Sequence, residues 1–402
     1  MKSRERVLAA IERRPLDKMP IDCGGMRSTG IMAIAYARLK RHLGLATGRI
    51  RVYDVLQQLA EIEPEILELF QVDIVDIVNT SLCPDERAWR HFTLPDGAPA
   101  ETPPQIPIDS DGCGGYVIKN PQGKVVNRMP SGCLYFETVQ PPLGAPRDPV
   151  ESYNLPMYTD EELAWMRRRA QFLYQNTDYA LMGGFGGNIL EYGQTLRGWG
   201  NFMMDLADGD GFAETLIQRF VEQHLVNLER YLDAVGEFIQ LIQMGDDLGT
   251  QSAPQVSMET YRRSIHPAHK TVYSAVKKRC PHIKLFFHCC GSCECYIEDL
   301  IKEGVEVLNP VQFTAAHMDC AHLKMKYGER ITFWGGGCDT QGVLPNATPE
   351  EIREHVRQQI RLFAPGGGYV FNPVHNIQAN IPPENILAVY EAAKEFRDYP
   401  IP

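Results

Sequence analysis

A histidine and a cysteine separated by one residue stand at the end of a short apolar run. Residues 283–287, IKLFF, are too few for a helix and have the composition of a strand covered on both faces. Because strand side chains alternate, His288 and Cys290 point to the same side. Neighbouring imidazole and thiolate groups are ligands that Zn²⁺ favours, so the pair predicts a metal site. The alternative is a core histidine beside buried thiols, since free cysteine is among the most buried residue types.

Composition and charge exclude several classes of protein. The chain has 402 residues, 44% hydrophobic and 23% charged, which is typical of a globular protein. Its net charge of −11 provides no basic surface for nucleic acid or for acidic membranes. No apolar stretch approaches the roughly 20 residues that span a bilayer, and the N-terminus lacks the apolar core of a signal peptide. Eleven cysteines without a secretion signal indicate a reducing compartment. We therefore expect a cytoplasmic protein without a nucleic-acid or membrane partner.

Strand and helix patterns alternate along most of the chain. The predicted strands, each followed by a helical pattern, begin at Ile21, Val72, Tyr179, Phe238, Ile283, Val305, Ile331 and Tyr369. Repeated βα units give a parallel sheet, and eight of them predict a (β/α)₈ TIM barrel, here one domain over residues 1–402. Helices at 31–43 and 55–70 separate the first two strands. The rival is an open doubly wound sheet, but its glycine-rich phosphate loop is replaced by CGGMRS at 23–28.

Residues 83–150 interrupt this alternation. The segment contains many prolines and glycines, with short strand-like pieces at 115–119 and 133–139. A loop of this length is usually a functional insertion rather than a simple connection. We expect a hairpin-rich insertion after the second strand that folds over the rim of the barrel.

Polar residues that could take part in catalysis or binding follow the later strands. Active residues of a TIM barrel lie at the C-terminal ends of its strands, and this is where the sequence places them. The candidates after strands three to eight are Tyr192, Asp246, Asp247, His288, Cys290, Asn309, Gln312, Cys338, Asp339 and His375. Loops are generally polar, but five consecutive strand ends bearing such groups exceed what a solvated rim requires.

Several of these segments resemble the uroporphyrinogen decarboxylase superfamily. The similar stretches are HxCG at 288–291, GDDLGT at 245–250, NPVQ at 309–312, GGGCD at 335–339, RVLAAIERRPLD at 6–17, PVHNIQ at 373–378 and PPENILA at 382–388. The resemblance covers nearly the whole chain except the insertion at 83–150. It implies a (β/α)₈ barrel, in agreement with the strand count. It also implies either a true uroporphyrinogen decarboxylase or a zinc-dependent corrinoid methyltransferase.

The decarboxylase branch is the less similar of the two. Its arginine-rich substrate loop should follow the first strand, where this chain has only Arg27 within residues 22–28. Its pyrrole-binding aspartate should follow the second strand, where this chain reads NTS at 79–81. A tetrapyrrole with several carboxylates needs cationic partners, and neither loop has a cluster of them.

The methyltransferase branch agrees better at the His-x-Cys motif. The resemblance implies zinc bound by His288, Cys290 and a third ligand after strand eight, where the family has cysteine and this chain has His375. Imidazole can replace thiolate on zinc, and it leaves the site less anionic. Cys338 after strand seven is a rival third ligand. Asn376 could orient the His375 ring, which favours His375.

The expected activity is transfer of a methyl group between a small O-, N- or S-methylated substrate and a thiol or a corrinoid held by a separate protein. Zinc would act as a Lewis acid. Asp247, or less favourably Asp246, would carry protons or anchor substrate, although such aspartates often only cap turns. The expected substrate-positioning residues are Tyr192, Asn309, Gln312 and Asp339.

Alternative functions fit parts of the sequence. One is a lyase similar to uroporphyrinogen decarboxylase, acting on a tetrapyrrole or another carboxylated substrate. Another is a thiol oxidoreductase, since Cys290 and Cys293 form a CxxC motif between a strand and a helix. That activity needs only a small domain, and it leaves eight βα units unexplained. A third is a binding protein on a barrel scaffold. The resemblance also suggests a homodimer.

Overall fold

The computed structural model describes residues 1–45, 48–84, 88–120, 122–145, 147 and 153–401. The helices are α1 (Ser3–Ile11), α2 (Ala33–His42), α3 (Pro64–Phe70), α4 (Asp160–Asn176), α5 (Leu190–Arg197), α6 (Trp199–Asp208), α7 (Phe212–Val235), α8 (Met258–Thr260), α9 (His266–Arg279), α10 (Ile297–Glu303), α11 (Cys320–Tyr327), α12 (Val343–Asn346), α13 (Pro349–Phe363) and α14 (Pro383–Glu395). A π-helical turn, Tyr261–Ile265, joins α8 to α9.

The strands are β1 (Val52–Asp54), β2 (Leu59–Ala60), β3 (Ile74–Asp76), β4 (Arg90–Thr93), β5 (Pro99–Thr102), β6 (Ile108–Ser110), β7 (Tyr116–Lys119), β8 (Val125–Met129), β9 (Glu137–Thr138), β10 (Ala180–Gly186), β11 (Leu241–Gly245), β12 (Lys284–His288), β13 (Val307–Asn309), β14 (Thr332–Trp334) and β15 (Tyr369–Val370). Seven of them form one parallel sheet in the order β3-β10-β11-β12-β13-β14-β15.

Ile21 closes this curled sheet into a barrel. It forms a parallel bridge with Phe371, just beyond β15, and its carbonyl accepts a hydrogen bond from Asp73 N, beside β3, at 2.8 Å. Ile21 therefore occupies the place of the first strand, and the predicted (β/α)₈ barrel is confirmed. The eight predicted strand positions all fall on barrel strands or, for Ile21, on this bridge.

Alternation along the strands divides the core into two parts. Inward side chains such as Phe286 and Trp334 fill the barrel, where their rings meet edge to face at 5.2 Å. Residues of α1, including Val7 and Ala10, pack into the same cluster. Outward side chains such as Phe287 pack in the larger core beneath the surrounding helices. His288 shares the inward side with Phe286 because it lies two residues further along β12.

The helix predicted at 55–70 is wrong over its first half. The chain instead forms the antiparallel pair of β1 and β2, and only α3 is helical. Pro64 stands at the first position of α3, where its missing N–H costs nothing and its fixed φ suits a helix start. Two helices, α5 and α6, were also not predicted; they follow β10, and α5 carries Glu191 and Tyr192.

The described part of 83–150 folds into two small antiparallel sheets, β4–β5 and β6–β7–β8–β9. Phe136 N donates to Leu56 O at 3.0 Å, and Leu143 N donates to Leu196 O, in α5, at 2.7 Å. Tyr135 Oη donates to Gln378 Oε1 at 2.6 Å, beyond the end of β15. The insertion thus contacts segments that follow two barrel strands. Its status as part of a single domain stays a prediction.

None of the described helices is long and apolar enough to cross a membrane.

Candidate metal centre

Three side chains converge at the C-terminal ends of β12 and β15. The ligand atoms of His288, Cys290 and His375 all lie within 4.8 Å of one another. Cys290 Sγ is 3.4 Å from His288 Nε2, and the two imidazole centres are 5.8 Å apart. Within the described ranges, no second group of three histidine, cysteine or acidic side chains is this close. Two imidazoles and a thiol are a donor set that suits Zn²⁺ and leaves a fourth position for substrate.

Asn309 sets the orientation of the His288 ring. Its Nδ2 donates to the carbonyl of Trp334 at 2.9 Å, so its Oδ1 must be the atom that faces His288. That oxygen lies 2.7 Å from His288 Nδ1 and accepts its proton. His288 Nε2 therefore presents a lone pair toward Cys290. Asn309, predicted to touch substrate, has both ends of its amide occupied and serves to orient this ring.

Asn376 holds His375 in the same manner. Asn376 is fully buried, and its Oδ1 lies 2.9 Å from His375 Nδ1. Burial, reinforced by the nearby His288, lowers the pKa of His375 to about 4. The imidazole is consequently neutral near pH 7, which is the state that binds a metal.

The Cys290 thiol lies in surroundings that oppose its charge. Burial, and then the charges of Asp247 and Glu191, raise the pKa of Cys290 well above its usual range. A divalent cation between the thiol and the two imidazoles would reverse this balance, because metal binding requires the thiolate. The residues present therefore fit a zinc ion, which His288, Cys290 and His375 would hold.

The adjacent aspartates after β11 have different surroundings. Asp246 is fully buried and accepts hydrogen bonds from four donors: the backbone N–H groups of Ile189, Leu190 and Glu191, and His269 Nε2. It therefore caps the start of α5. Asp247 has a side chain that is 33% exposed, with Oδ1 3.8 Å from His288 Nε2 and 2.7 Å from Cys290 N. Of the two predicted proton carriers, Asp247 is the one beside His288 and Cys290.

A cavity of about 480 Å³ opens beside α5. Glu191 lines it, and its Oε2 accepts from Asp247 N at 3.0 Å, which ties the cavity wall to the cluster. Burial, and then the charges of Asp247 and Asp246, raise the pKa of Glu191 to about 8. Glu191 thus stays protonated to a higher pH than an ordinary glutamate does.

Of the other predicted substrate residues, Tyr192 also lines the cavity, with its ring 4.8 Å from that of Phe220. Gln312 holds loops together instead: its Oε1 accepts from Gly291 N and its Nε2 donates to Gln251, both at 2.7 Å. Asp339 accepts from three backbone N–H groups, those of Gln341, Gly342 and Val343, ahead of α12.

Cys338 lies outside the metal-binding cluster. Its side chain is fully buried in the core among apolar residues, and its Sγ contacts the carbonyl of Asp339 at 3.8 Å. Burial raises the pKa of this thiol above its usual range. The residue follows β14 and packs in the larger core, apart from the cluster inside the barrel that contains Trp334.

Two residues near the cluster were not predicted. Ser28 follows the bridge residue Ile21, and its Oγ lies 3.3 Å from His288 Nε2. Gln57, in the turn between β1 and β2, accepts from Asn376 Nδ2 at 2.9 Å. Ser28 could have been inferred from its position after the first strand. Gln57 carries no local signal, because its role depends on the fold of the segment wrongly predicted as helix.

The CxxC motif does not present two facing thiols. Cys293 is fully buried, and its Sγ contacts the carbonyl of Cys289 and Met318 Sδ, each at 3.9 Å. Cys290 instead faces His288 at 3.4 Å. All eleven cysteines are free. The thiol oxidoreductase alternative is therefore disfavoured.

A (β/α)₈ barrel with convergent polar groups at the C-terminal ends of its strands has the architecture of an enzyme. The family model for uroporphyrinogen decarboxylase (URO-D) matches residues 139–396, more than half of the chain. The chain belongs to this family.

Curated relatives carry two different names. Uroporphyrinogen decarboxylase of Psychromonas ingrahamii is 35% identical over 19% of this chain and 21% of its own length. The corresponding protein of Microcystis aeruginosa is 24% identical over 67% of this chain and 79% of its own length. A methylated-thiol–coenzyme M methyltransferase of Methanosarcina mazei is 25% identical over 36% of this chain and 35% of its own length. The chain thus spans about a fifth of the first of these relatives.

A solved structure, a methyltransferase from Methanosarcina mazei, shares the fold over nearly the full length of both chains. It covers 98% of this chain and 99% of its own, with a TM-score of 0.62 and 16% sequence identity. At this identity the similarity establishes the fold alone.

Proposed function

We propose that this protein is a zinc-dependent methyltransferase that moves a methyl group between a small methylated substrate and a thiol or a corrinoid protein. The observation that carries the proposal is the convergence of His288, Cys290 and His375, in which an asparagine occupies the Nδ1 of each imidazole and leaves the Nε2 as the atom that would bind a metal. The methyltransferase among the relatives supports the same reaction class.

A bound zinc would supply a Lewis acid that favours the thiolate form of a thiol or polarises the heteroatom of a methylated substrate. Asp247 would accept the proton that the thiol gives up, or return one to the demethylated product. Its Oδ1 is engaged by Cys290 N, so the proton would be held at Oδ2 on the part-exposed side. Asn309 and Asn376 keep the two imidazole protons on Nδ1 throughout.

The decarboxylase alternative has support from the names of several relatives. Its substrate requires several cationic partners, because a tetrapyrrole of this kind carries many carboxylates. Arg27 is the sole lysine or arginine among the described residues that line the cavity next to Glu191. It is already paired with Asp54, at 3.6 Å. The charge of the site therefore favours the methyltransferase.

The proposal is tested with protein purified without added metal. We expect about one zinc per chain and demethylation of methylcobalamin when 2-mercaptoethanol is the acceptor. His288→Ala should lose both the bound zinc and the methyl-transfer activity. His322→Ala, whose side chain is 45% exposed on α11, is the matched control and should keep both. Protein without zinc that decarboxylates uroporphyrinogen would establish the alternative.

A further inference from the structure

The amide that orients His375 is itself fixed by two glutamines. Asn376 Nδ2 donates to Gln57 Oε1 at 2.9 Å, and Gln378 Nε2 donates to Asn376 Oδ1. Gln378 Nε2 also lies 3.4 Å from the backbone carbonyl of Asn376, which can only accept, so the nitrogen of this amide is identified. The oxygen of Asn376 must therefore face both Gln378 and the Nδ1 of His375.

Both glutamines are held by the insertion. Tyr135 Oη donates to Gln378 Oε1 at 2.6 Å. On either side of Gln57, Phe136 N donates to Leu56 O and Gln58 Nε2 donates to the carbonyl of Leu134, each at 3.0 Å. Residues 134–136 consequently hold both partners of the Asn376 amide. The contacts connect a segment outside the barrel to a metal-ligand candidate inside it.

We propose that Tyr135 is a positioning residue for the metal centre and acts on His375 through Gln378 and Asn376; this inference rests on the proposed function. The Tyr135 hydroxyl fixes which end of the Gln378 amide faces Asn376. Without it, the Gln378 amide loses one of the bonds that hold it, so its donation to the Asn376 oxygen becomes less ordered and the bond that orients the imidazole is weakened. Groups that orient metal ligands typically change metal affinity about 10- to 100-fold. Tyr135 is two hydrogen bonds further out, so we expect about a 2- to 10-fold effect.

The experiment measures zinc affinity by competition with a chromophoric chelator, and records the d–d bands of the Co²⁺ form. Tyr135→Phe removes only the hydroxyl of a residue that is 38% exposed, and it keeps the aromatic ring. We expect weaker zinc binding by about 2- to 10-fold, a shifted Co²⁺ spectrum and an unchanged melting temperature. Tyr116→Phe is the matched control. It removes a hydroxyl from β7, in the sheet whose strands β8 and β9 flank Tyr135 in the chain. That hydroxyl donates to Thr93 O at 3.3 Å, and the variant should bind zinc like the wild type.

A double variant tests the route. Gln378→Met removes the intermediate amide, so Tyr135→Phe should have no further effect on zinc affinity in that background. Wild-type affinity in Tyr135→Phe, an equal loss in Tyr116→Phe, or an additive loss in the double variant would each overturn the inference while leaving the proposed function standing. A wild-type protein that binds no zinc would overturn both.

Discussion

Replacing Asp246 and Asp247 separately by asparagine should separate a structural carboxylate from a reacting one. The two residues are adjacent after β11, yet Asp246 accepts from four donors and Asp247 from a single backbone N–H. Asp246→Asn should destabilise the fold. Asp247→Asn should leave the fold intact and slow methyl transfer.

The contacts set the expected magnitudes. Asparagine at position 246 keeps one acceptor oxygen, so its NH₂ group must face a donor that the carboxylate had bound. A hydrogen bond to a charged group contributes about 1.5–3 kcal/mol, and an unpaired buried donor costs about 1–3 kcal/mol more. We expect Asp246→Asn to lose about 3–5 kcal/mol, a fall in Tm on the order of 4–6 °C for a chain of this length.

Asparagine at position 247 can still accept from Cys290 N, and the side chain is part-exposed, so the change in stability should stay below about 1 kcal/mol. The amide cannot accept the proton assigned to Asp247. Loss of such a group typically slows a reaction about 10²- to 10⁴-fold. The assays are thermal melting and the rate of methylcobalamin demethylation with 2-mercaptoethanol. Transfer within twofold of wild type in Asp247→Asn, or an unchanged Tm in Asp246→Asn, would refute the assignment.

Four further variants test the site. His375→Ala should weaken zinc binding at least about 10²-fold, since roughly 10–16 kcal/mol of structural zinc affinity is shared among four ligands. Cys338→Ser should retain zinc. Competition with a chelator measures the zinc affinity of both variants. Asn309→Leu should weaken zinc binding about 10- to 100-fold in the same assay by releasing the His288 ring. The pKa of Glu191 is raised in the fold, so its contribution to stability is present below about pH 4.5 and lost as pH rises through about 8. Glu191→Gln should therefore make Tm fall less steeply with pH over this window. Plots of Tm against pH that are parallel for the variant and the wild type would contradict this expectation.

The sequence allowed the barrel to be predicted because each strand is a short apolar run with a helical pattern after it. Strands such as β12 and β13 are buried on both faces, and their composition records this burial. The pattern failed between Val55 and Pro64, where β2 pairs with β1 and the residues before it are bonded to the insertion. Such contacts depend on distant parts of the chain and produce no periodic pattern of apolar residues in the local sequence.

Part of the candidate site could likewise be predicted from the sequence, and part could not. His288, Cys290 and Asp247 could be placed near one another because strand ends meet at one face of a barrel. The separate surroundings of Asp246 and Asp247 could not be predicted, because three of the four donors to Asp246 come from the start of α5, a helix without a clear sequence signal. The orientation of each imidazole depends on which way an amide faces, and Asn309 shows this only through its bond to Trp334.

The most direct test of the metal centre is X-ray absorption at the zinc edge of the purified protein. The account predicts about one zinc per chain with one sulfur at about 2.3 Å, from Cys290, and two imidazole nitrogens at about 2.0–2.1 Å, from His288 and His375. The remaining position would be filled by a light atom in the absence of substrate. Two sulfur ligands would place a second cysteine on the metal, and protein without zinc would remove the centre altogether; either result would contradict the account.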